Sequence, residues 1–370
     1  MQPTPLAVCV GEGLVVLVAR DAGPLAEAAV FDRSAGGAEV NVAGVLAGYG
    51  ISSAWVSKVG DDGFGRYLVQ SVAERGIDVD AVALDGTRST GIYVKERGGT
   101  TGAEDDLGPG VSRMHYYRQD SAASAMDPQF LAEPGVKQLL ATADLVHVTG
   151  ITPALSPAAT AMTLGLAGRP RRALVSFDVN YRPALWGDRT AQAPEILAEI
   201  MTSVDVAFLG ADEGLAVWGI EDAGQLRASF PEPRHLIVKN GGGRVTVFDG
   251  TDRLDIPALQ VQVVEQIGAG DAFAGGYLTG LLRGLDVRQR TRLAHLSAAA
   301  ALTTHSDHAS IVWDDAVQRA IVCSDREWAG LQVGPSGVPA ALSALAPTTI
   351  GADQLSAEQM AAGTMQVGTR

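Results

Sequence analysis

"VEQIGAGDAFAGGY", residues 264–277, sets Gly268, Ala269 and Gly270 directly before Asp271 and continues into a small, apolar segment. Glycines adopt dihedrals closed to other residues and let a ligand come close to the backbone. A helix that starts here offers unpaired N–H groups and the positive end of its dipole. Such a turn suits a phosphoryl group in transfer, whose negative charge grows on its peripheral oxygens. Asp271, one residue past it, is placed to take a proton from an attacking hydroxyl. Taken alone, the four residues also fit an Asp N-cap behind a glycine loop. The chain has no GxxxxGK[ST], so a P-loop is not the explanation.

A second glycine cluster lies far upstream in "SAGGAEVNVAGVLAGYG", residues 34–50. Gly36 and Gly37 precede a helical pattern, and Asn41 falls about one turn in. An amide beside exposed backbone N–H groups can hold vicinal hydroxyls, because it both donates and accepts. A tight turn followed by an ordinary helix Asn is the alternative.

Between and beyond these clusters, short apolar runs alternate with helical stretches. Strands are expected at 54–59, 144–150, 173–179, 205–210 and 235–240, and helices at 38–48, 64–75, 156–168, 191–202 and 211–219. Continuous apolar strands separated by helices imply a parallel sheet covered on both faces. Residues 88–119 alternate instead around a Gly-rich link, which predicts an antiparallel hairpin, part of a small sheet projecting from the main one. After about Gly330 the chain is rich in Ala, Gly, Ser, Thr and Pro, and residues 326–370 are expected to form a low-complexity, loosely docked tail.

With 370 residues, 46% hydrophobic and 19% charged, the bulk of the chain should be globular. No apolar run reaches the roughly 20 residues of a membrane helix. The N-terminal MQPTPLAVCVGEG lacks a basic region, so a secretory signal is not expected and the chain reads as cytoplasmic. Cys9 and Cys323 are expected to be inert thiols. His305 and His308 are three residues apart but have no third ligand nearby in sequence, so zinc is not expected. A net charge of −14 argues against a nucleic-acid partner. If the ligand is anionic, its cations must be concentrated locally.

Together, the two glycine clusters and "GDDGFG" (60–65) resemble the N- and C-terminal signatures of the ribokinase-like (PfkB) sugar kinases. The similarity runs from about Ala7 to Trp313. It implies an α/β three-layer sandwich with a central, mostly parallel sheet and a small β-sheet lid. The kinase domain would span 1–325, with lid strands from about 12–35 and 85–120. It further implies ATP with Mg²⁺, Asp271 as base and Gly268–Gly270 at the transferring phosphoryl. A homo-oligomer is expected.

Several stretches resemble 2-keto-3-deoxygluconate kinases in particular: "GGAEVNVA" (36–43), "GIYV" (91–94), "HYYRQDSAAS" (115–124), "GITPALSP" (150–157) and "DVNYRPALW" (178–186). "GEGLVVLV" (11–18) resembles their first strand, with Val16 where many sugar-alcohol-binding relatives carry Asp. By this resemblance Gly37, Ala38, Glu39, Val40, Asn41, Tyr93, Tyr116 and Arg118 line a sugar-acid site, which Asp307 closes. Asn180 and Arg182 would face the nucleotide phosphates. Lys239 and Gly241 in "VKNGGGR" (238–244) would belong to the nucleotide strand and turn, and His295 would lie beside the adenine or on a helix surface. Arg118 and Tyr116 are two residues apart in a predicted strand and share a face. An Arg fork beside a phenol suits a carboxylate and a neighbouring oxygen; a solvated Arg on a surface hairpin is the alternative.

Two departures from the family stand out. Glu265-Gln266 occupy the place of an Asp-Thr or Asp-Pro pair that helps bind a monovalent cation in relatives, so potassium activation is left open. The Asn-x-x-Glu element that orders Mg²⁺ water reads Gly210-Ala211-Asp212-Glu213, keeping Glu213 and losing the Asn. The reading is an ATP-dependent kinase acting on O6 of 2-keto-3-deoxygluconate. The alternatives are a kinase for fructose or 5-keto-2-deoxygluconate, or an impaired sugar- or nucleotide-binding regulator.

Overall fold

The computed structural model describes residues 4–168, 172–304, 313–334 and 336–343. Its strands in chain order are β1 (Leu6–Val10), β2 (Leu14–Ala19), β3 (Phe31–Gly36), β4 (Ser52–Gly60), β5 (Val82–Asp85), β6 (Ile92–Arg97), β7 (Ser112–Tyr117), β8 (Leu145–Thr149), β9 (Leu174–Asp178), β10 (Val206–Gly210), β11 (His235–Asn240), β12 (Arg244–Asp249), β13 (Asp252–Pro257), β14 (Gln260–Val261) and β15 (Gln332–Val333). Nine of them form one sheet in the order β13-β12-β11-β10-β9-β8-β1-β4-β5. Pairing is parallel from β11 through β5 and antiparallel at β11–β12 and β12–β13.

The apolar runs at β8 and β10 are buried at every position, as strands covered on both faces must be. On one face, Val136, Leu166, Leu197 and Leu226 bring their helices against the sheet; on the other, Val40, Leu68, Phe273 and Leu278 do the same. This is the expected three-layer α/β sandwich. The chain runs β1-β4-β5 to one side and β8-β9-β10-β11 to the other. Adjacent β1 and β8 therefore make a switch point, where a crevice opens at the carboxyl ends of the strands.

The lid is a separate four-stranded sheet in the order β3-β2-β6-β7. The hairpin expected within 88–119 is β6–β7, antiparallel with Tyr93 opposite Tyr116. "GEGLVVLV" is not the first strand. β1 ends at Val10, and Leu14–Ala19 cross into the lid, where Val16 is fully buried beside Leu14 and Tyr93.

The expected tail is corrected as far as Ser343. Helices Asp325–Gly330 and Gly337–Leu342 pack on the helix Val287–Leu302, and β15 pairs with β14. Trp328, Leu331, Val333, Val338 and Leu342 are buried in a third core with Leu293 and Leu296. Trp328 also donates its indole N–H to the Pro257 carbonyl at 3.2 Å. Residues 344–370, the rest of that expectation, lie outside the described residues. No helix among the described residues is long and apolar enough to cross a membrane.

Candidate active site

The crevice at the switch point is a cavity of about 750 Å³, within the usual range for a small-molecule site. Its floor is built from strand ends: Glu12 follows β1, Asp178 ends β9, Asn180 lies two residues on, and Lys239 sits near the end of β11. The helix Ala38–Gly48 brings in Asn41, and the helix Ala269–Leu282 brings in Asp271. From the lid come Tyr93 and Tyr116, with Arg118 immediately after β7.

Two glycines make the close approaches possible. Gly37, at φ 123°, immediately precedes its helix, and a Cβ there would lie 2.4 Å from the Glu12 carbonyl. Gly268, at φ 78°, turns the chain into the helix that starts at Ala269. Both sit in the left-handed region that glycine tolerates.

Asp271 is the convergence point. Asn41 Nδ2 donates to its Oδ2 at 2.9 Å, and Asn180 Nδ2 lies 3.4 Å from its Oδ1. Asn180 holds a strained φ of 35° to do this. Burial pushes the Asp271 carboxyl up to about 6; the Asn41 hydrogen bond opposes that rise, and the Asp178 carboxylate adds to it. Lys239 Nζ bonds both oxygens of Asp178, at 3.2 and 3.0 Å. Burial alone would lower the Lys239 ammonium, but Asp178 and Glu213 hold it above its ordinary value. Glu213 is raised by burial, and Lys239 opposes this. Its oxygens accept from Gly210 N at 2.7 Å and Tyr181 N at 3.0 Å, and Arg182 lies 3.5 Å away.

At the lid end the Tyr93 and Tyr116 rings are 5.5 Å apart, and the Arg118 guanidinium sits 5.7 Å from the Tyr116 ring centre. Arg118 is not a solvated surface residue: it is buried and ion-paired with Glu12, which also accepts from Ser121. Arg118 Nε is buried without a hydrogen-bond partner, and so are the side-chain oxygens of Asn41 and Asn180. Buried polar atoms are normally satisfied. Three orphans around one cavity mark places for a polar ligand.

Of the residues expected from sequence, Gly37, Ala38, Asn41, Tyr93, Tyr116, Arg118, Asn180, Arg182, Glu213, Lys239, Gly268, Gly270 and Asp271 line this cavity. Ala269 starts the helix between Gly268 and Gly270. Glu39 and Val40 do not line it. On a helix, positions 38 and 41 share a face while 39 and 40 turn behind it. Val40 lies in the core, and Glu39 Oε1 accepts from Thr149 N, Thr149 Oγ1 and Thr152 Oγ1 at 3.0, 2.8 and 2.9 Å. Burial raises Glu39 to about 7.

His295 is another correction. It is buried between Phe273 and Trp328, with ring centres 5.3 and 6.2 Å away, and burial lowers it to about 4. It is core, neither surface nor cavity. Gly241 sits in the β11–β12 turn, off the cavity lining. Asp307 lies outside the described residues. Glu12, Asp178 and Glu265 line the cavity without having been singled out as site residues. For Glu12 and Asp178 the signal was an acidic residue at the end of an apolar strand run.

Residues 4–314 match the pfkB family carbohydrate kinases. The chain belongs to the pfkB family. A 2-dehydro-3-deoxygluconokinase from Thermoproteus tenax is 34% identical over 308 residues, covering 82% of this chain and 90% of the relative. Fructokinase-1 from Zea mays is 31% identical over 284 residues, covering 75% of this chain and 83% of the relative. The crystal structure of a PfkB protein from Polaromonas sp. JS666 superimposes with a TM-score of 0.71 at 29% identity, covering 82% of this chain and 96% of its own. In this pfkB carbohydrate kinase the two glycine clusters, 230 residues apart at Asn41 and Asp271, meet at one hydrogen bond.

Proposed function

We propose that this carbohydrate kinase transfers the γ-phosphoryl of ATP to O6 of 2-keto-3-deoxygluconate. The observation that carries the reading is that Asp271, at a helix start, and Arg118, at the lid, face one cavity. Asp271 serves as base: a carboxyl titrating at about 6 is ionised at neutral pH yet basic enough to take a hydroxyl proton. Asn41 orients that carboxylate, and its unpartnered Oδ1 accepts from a sugar hydroxyl. The N–H groups of the Gly268–Asp271 turn hold the transferring phosphoryl. No side chain blocks that turn; a Cβ on Gly270 would meet nothing nearer than Lys239 Nζ at 3.7 Å. Lys239 and Arg182 supply positive charge beside the nucleotide phosphates.

The described residues contain no group of three or more His, Cys, Asp or Glu able to cage a metal. Mg²⁺ takes most of its oxygens from phosphates and water and needs only one or two protein carboxylates. Asp178 and Glu213 are the carboxylates that would hold its waters, and the ion would neutralise charge on the phosphate oxygens.

For the acid, the support is the unpartnered Arg118 Nε together with the Thermoproteus tenax relative. A neutral sugar is the second reading, because Glu12 already occupies one edge of the Arg118 fork and the Zea mays relative is a fructokinase. Coupled ADP release over a panel of sugars and sugar acids, with and without K⁺, separates the two. A higher kcat/KM for fructose than for 2-keto-3-deoxygluconate would overturn the acid assignment.

A further inference from the structure

Lys95 and Glu265 form a buried ion pair that joins the lid to the segment leading into the Gly268–Asp271 turn. Lys95 is 1% exposed, and its Nζ lies 2.5 Å from Glu265 Oε2. Ser112 on β7 donates to the same oxygen at 3.4 Å. The other oxygen faces the chain that follows: Gln266 N donates to Oε1 at 3.0 Å. The same stretch is tied behind by Val264 N and Glu265 N, which donate to the Leu302 carbonyl at 2.8 and 3.2 Å. Glu265 therefore sits between two lid strands and the backbone that turns at Gly268 three residues later. On the lid side, Lys95 is two residues from Tyr93 on β6, so both side chains leave the same face of one strand. One strand carries both a wall of the sugar cavity and the cation that reaches the catalytic turn.

We propose that Lys95 and Glu265 are positioning residues: a latch through which the lid, seated on the sugar, sets the geometry of the Gly268–Asp271 turn. The chemistry of a buried ion pair suits a reversible latch. Its Coulomb attraction is nearly offset by the cost of stripping water from both ions. Opening the lid rehydrates both charges, and closing it pairs them, so neither state is locked. Breaking the pair while the lid stays shut is different, because it strands one charge in a dry site. Burial alone would raise the Glu265 carboxyl, yet the hydrogen bond and charge of Lys95 keep it below its ordinary value, so Glu265 is ionised at neutral pH. Neither residue is needed to touch the reacting atoms. Lys95 acts through Glu265, and Glu265 acts through the backbone of 266–268.

The inference rests on the family's kinase activity and not on which sugar is used, so it is tested with whichever sugar the wild-type enzyme turns over best. Lys95→Met, Glu265→Gln, the double variant and Lys95→Arg are compared by kcat, by KM for sugar and for ATP, and by melting temperature. Each single charge removal is expected to lower kcat about ten- to a hundredfold, the scale of misplacing a reacting geometry, with KM for ATP within about twofold. The double variant should lose no more than the worse single variant, because both break one link. Lys95→Arg should recover most of kcat. Hydrogen exchange gives a second readout that needs no turnover. Sugar should protect both 92–97 and 264–268 in the wild type, but only 92–97 in Lys95→Met. If Lys95→Met does not fold, Glu265→Gln carries the same comparison, since Gln keeps the bond from Gln266 N. The proposal is overturned if kcat is unchanged in the single variants, if their losses multiply in the double, or if sugar protects 264–268 equally without the pair.

Discussion

Asn41 and Asp271, 230 residues apart, share a 2.9 Å hydrogen bond from the Asn41 amide to the Asp271 carboxylate. The bond stabilises the ionised carboxylate and restrains a pKa that burial has raised to about 6. Removing it in Asn41→Ala should push the carboxyl higher still. The acid limb of the kcat/KM profile then moves to higher pH, so the variant loses more activity at pH 6.5 than at pH 8.5. A profile that falls evenly at both pH values would show that Asn41 binds sugar without tuning Asp271.

Much of this arrangement is legible in the sequence. Glycine clusters are one mark of close backbone approach, and those at Gly37 and Gly268 flagged the two helix starts that meet. The strands β8 to β11 were legible because their short runs are dominated by apolar residues, interrupted only singly by His147 in β8 and Ser176 in β9. Pairings between distant charges were not. Glu12 with Arg118 and Lys95 with Glu265 are contacts across 106 and 170 positions, and one sequence carries no record of them. Glu39 was misread because a motif treats 37–41 as a unit, whereas helix geometry turns 39 and 40 inward. The C-terminal segment was misread by averaging: its Ala, Gly and Pro content hid the apolar set that includes Trp328 and Leu331. A local signal was present in Ser324-Asp325-Arg326-Glu327, a capping box realised with Ser324 Oγ accepting from Glu327 N at 3.2 Å.

That segment should therefore matter for stability. Trp328→Ala removes a large, buried side chain and its hydrogen bond to Pro257, and should cost about 3–5 kcal/mol in chemical unfolding. Truncation after Ser324 should lower the melting temperature further, since Leu331, Val333, Val338 and Leu342 leave with it. A truncated protein that melts like the full chain would mean these contacts add nothing.

Arg118 tests substrate choice, and its pairing changes how the test must be run. Arg118→Ala should raise KM for the sugar acid about ten- to a hundredfold, the loss of one charge-assisted contact. It also leaves Glu12 buried and unpaired, which should destabilise the fold by about 3–5 kcal/mol. Adding Glu12→Gln to Arg118→Ala should restore most of the melting temperature while KM for the acid stays high. If KM recovers together with stability, Arg118 supports the fold and does not read the substrate.

Asp271→Asn separates catalysis from architecture. A carboxyl raised from 3.8 to about 6 binds its proton more tightly in the folded chain than in the unfolded one. Stability is therefore lost as pH rises from about 4 through 6, and the full cost, at most about 3 kcal/mol, persists at neutral pH. Asparagine keeps the shape and carries no charge, so the variant should melt higher than the wild type at pH 7.5, and the gap should close toward pH 4. Turnover should move the other way, with kcat down about 10²–10⁴-fold from loss of the base. An Asp that merely capped its helix would behave differently, because Asn caps about as well and both properties would stay near wild type. Calorimetry at the two pH values, beside kcat at neutral pH, measures both effects in one variant. Near-wild-type turnover would exclude Asp271 as the base.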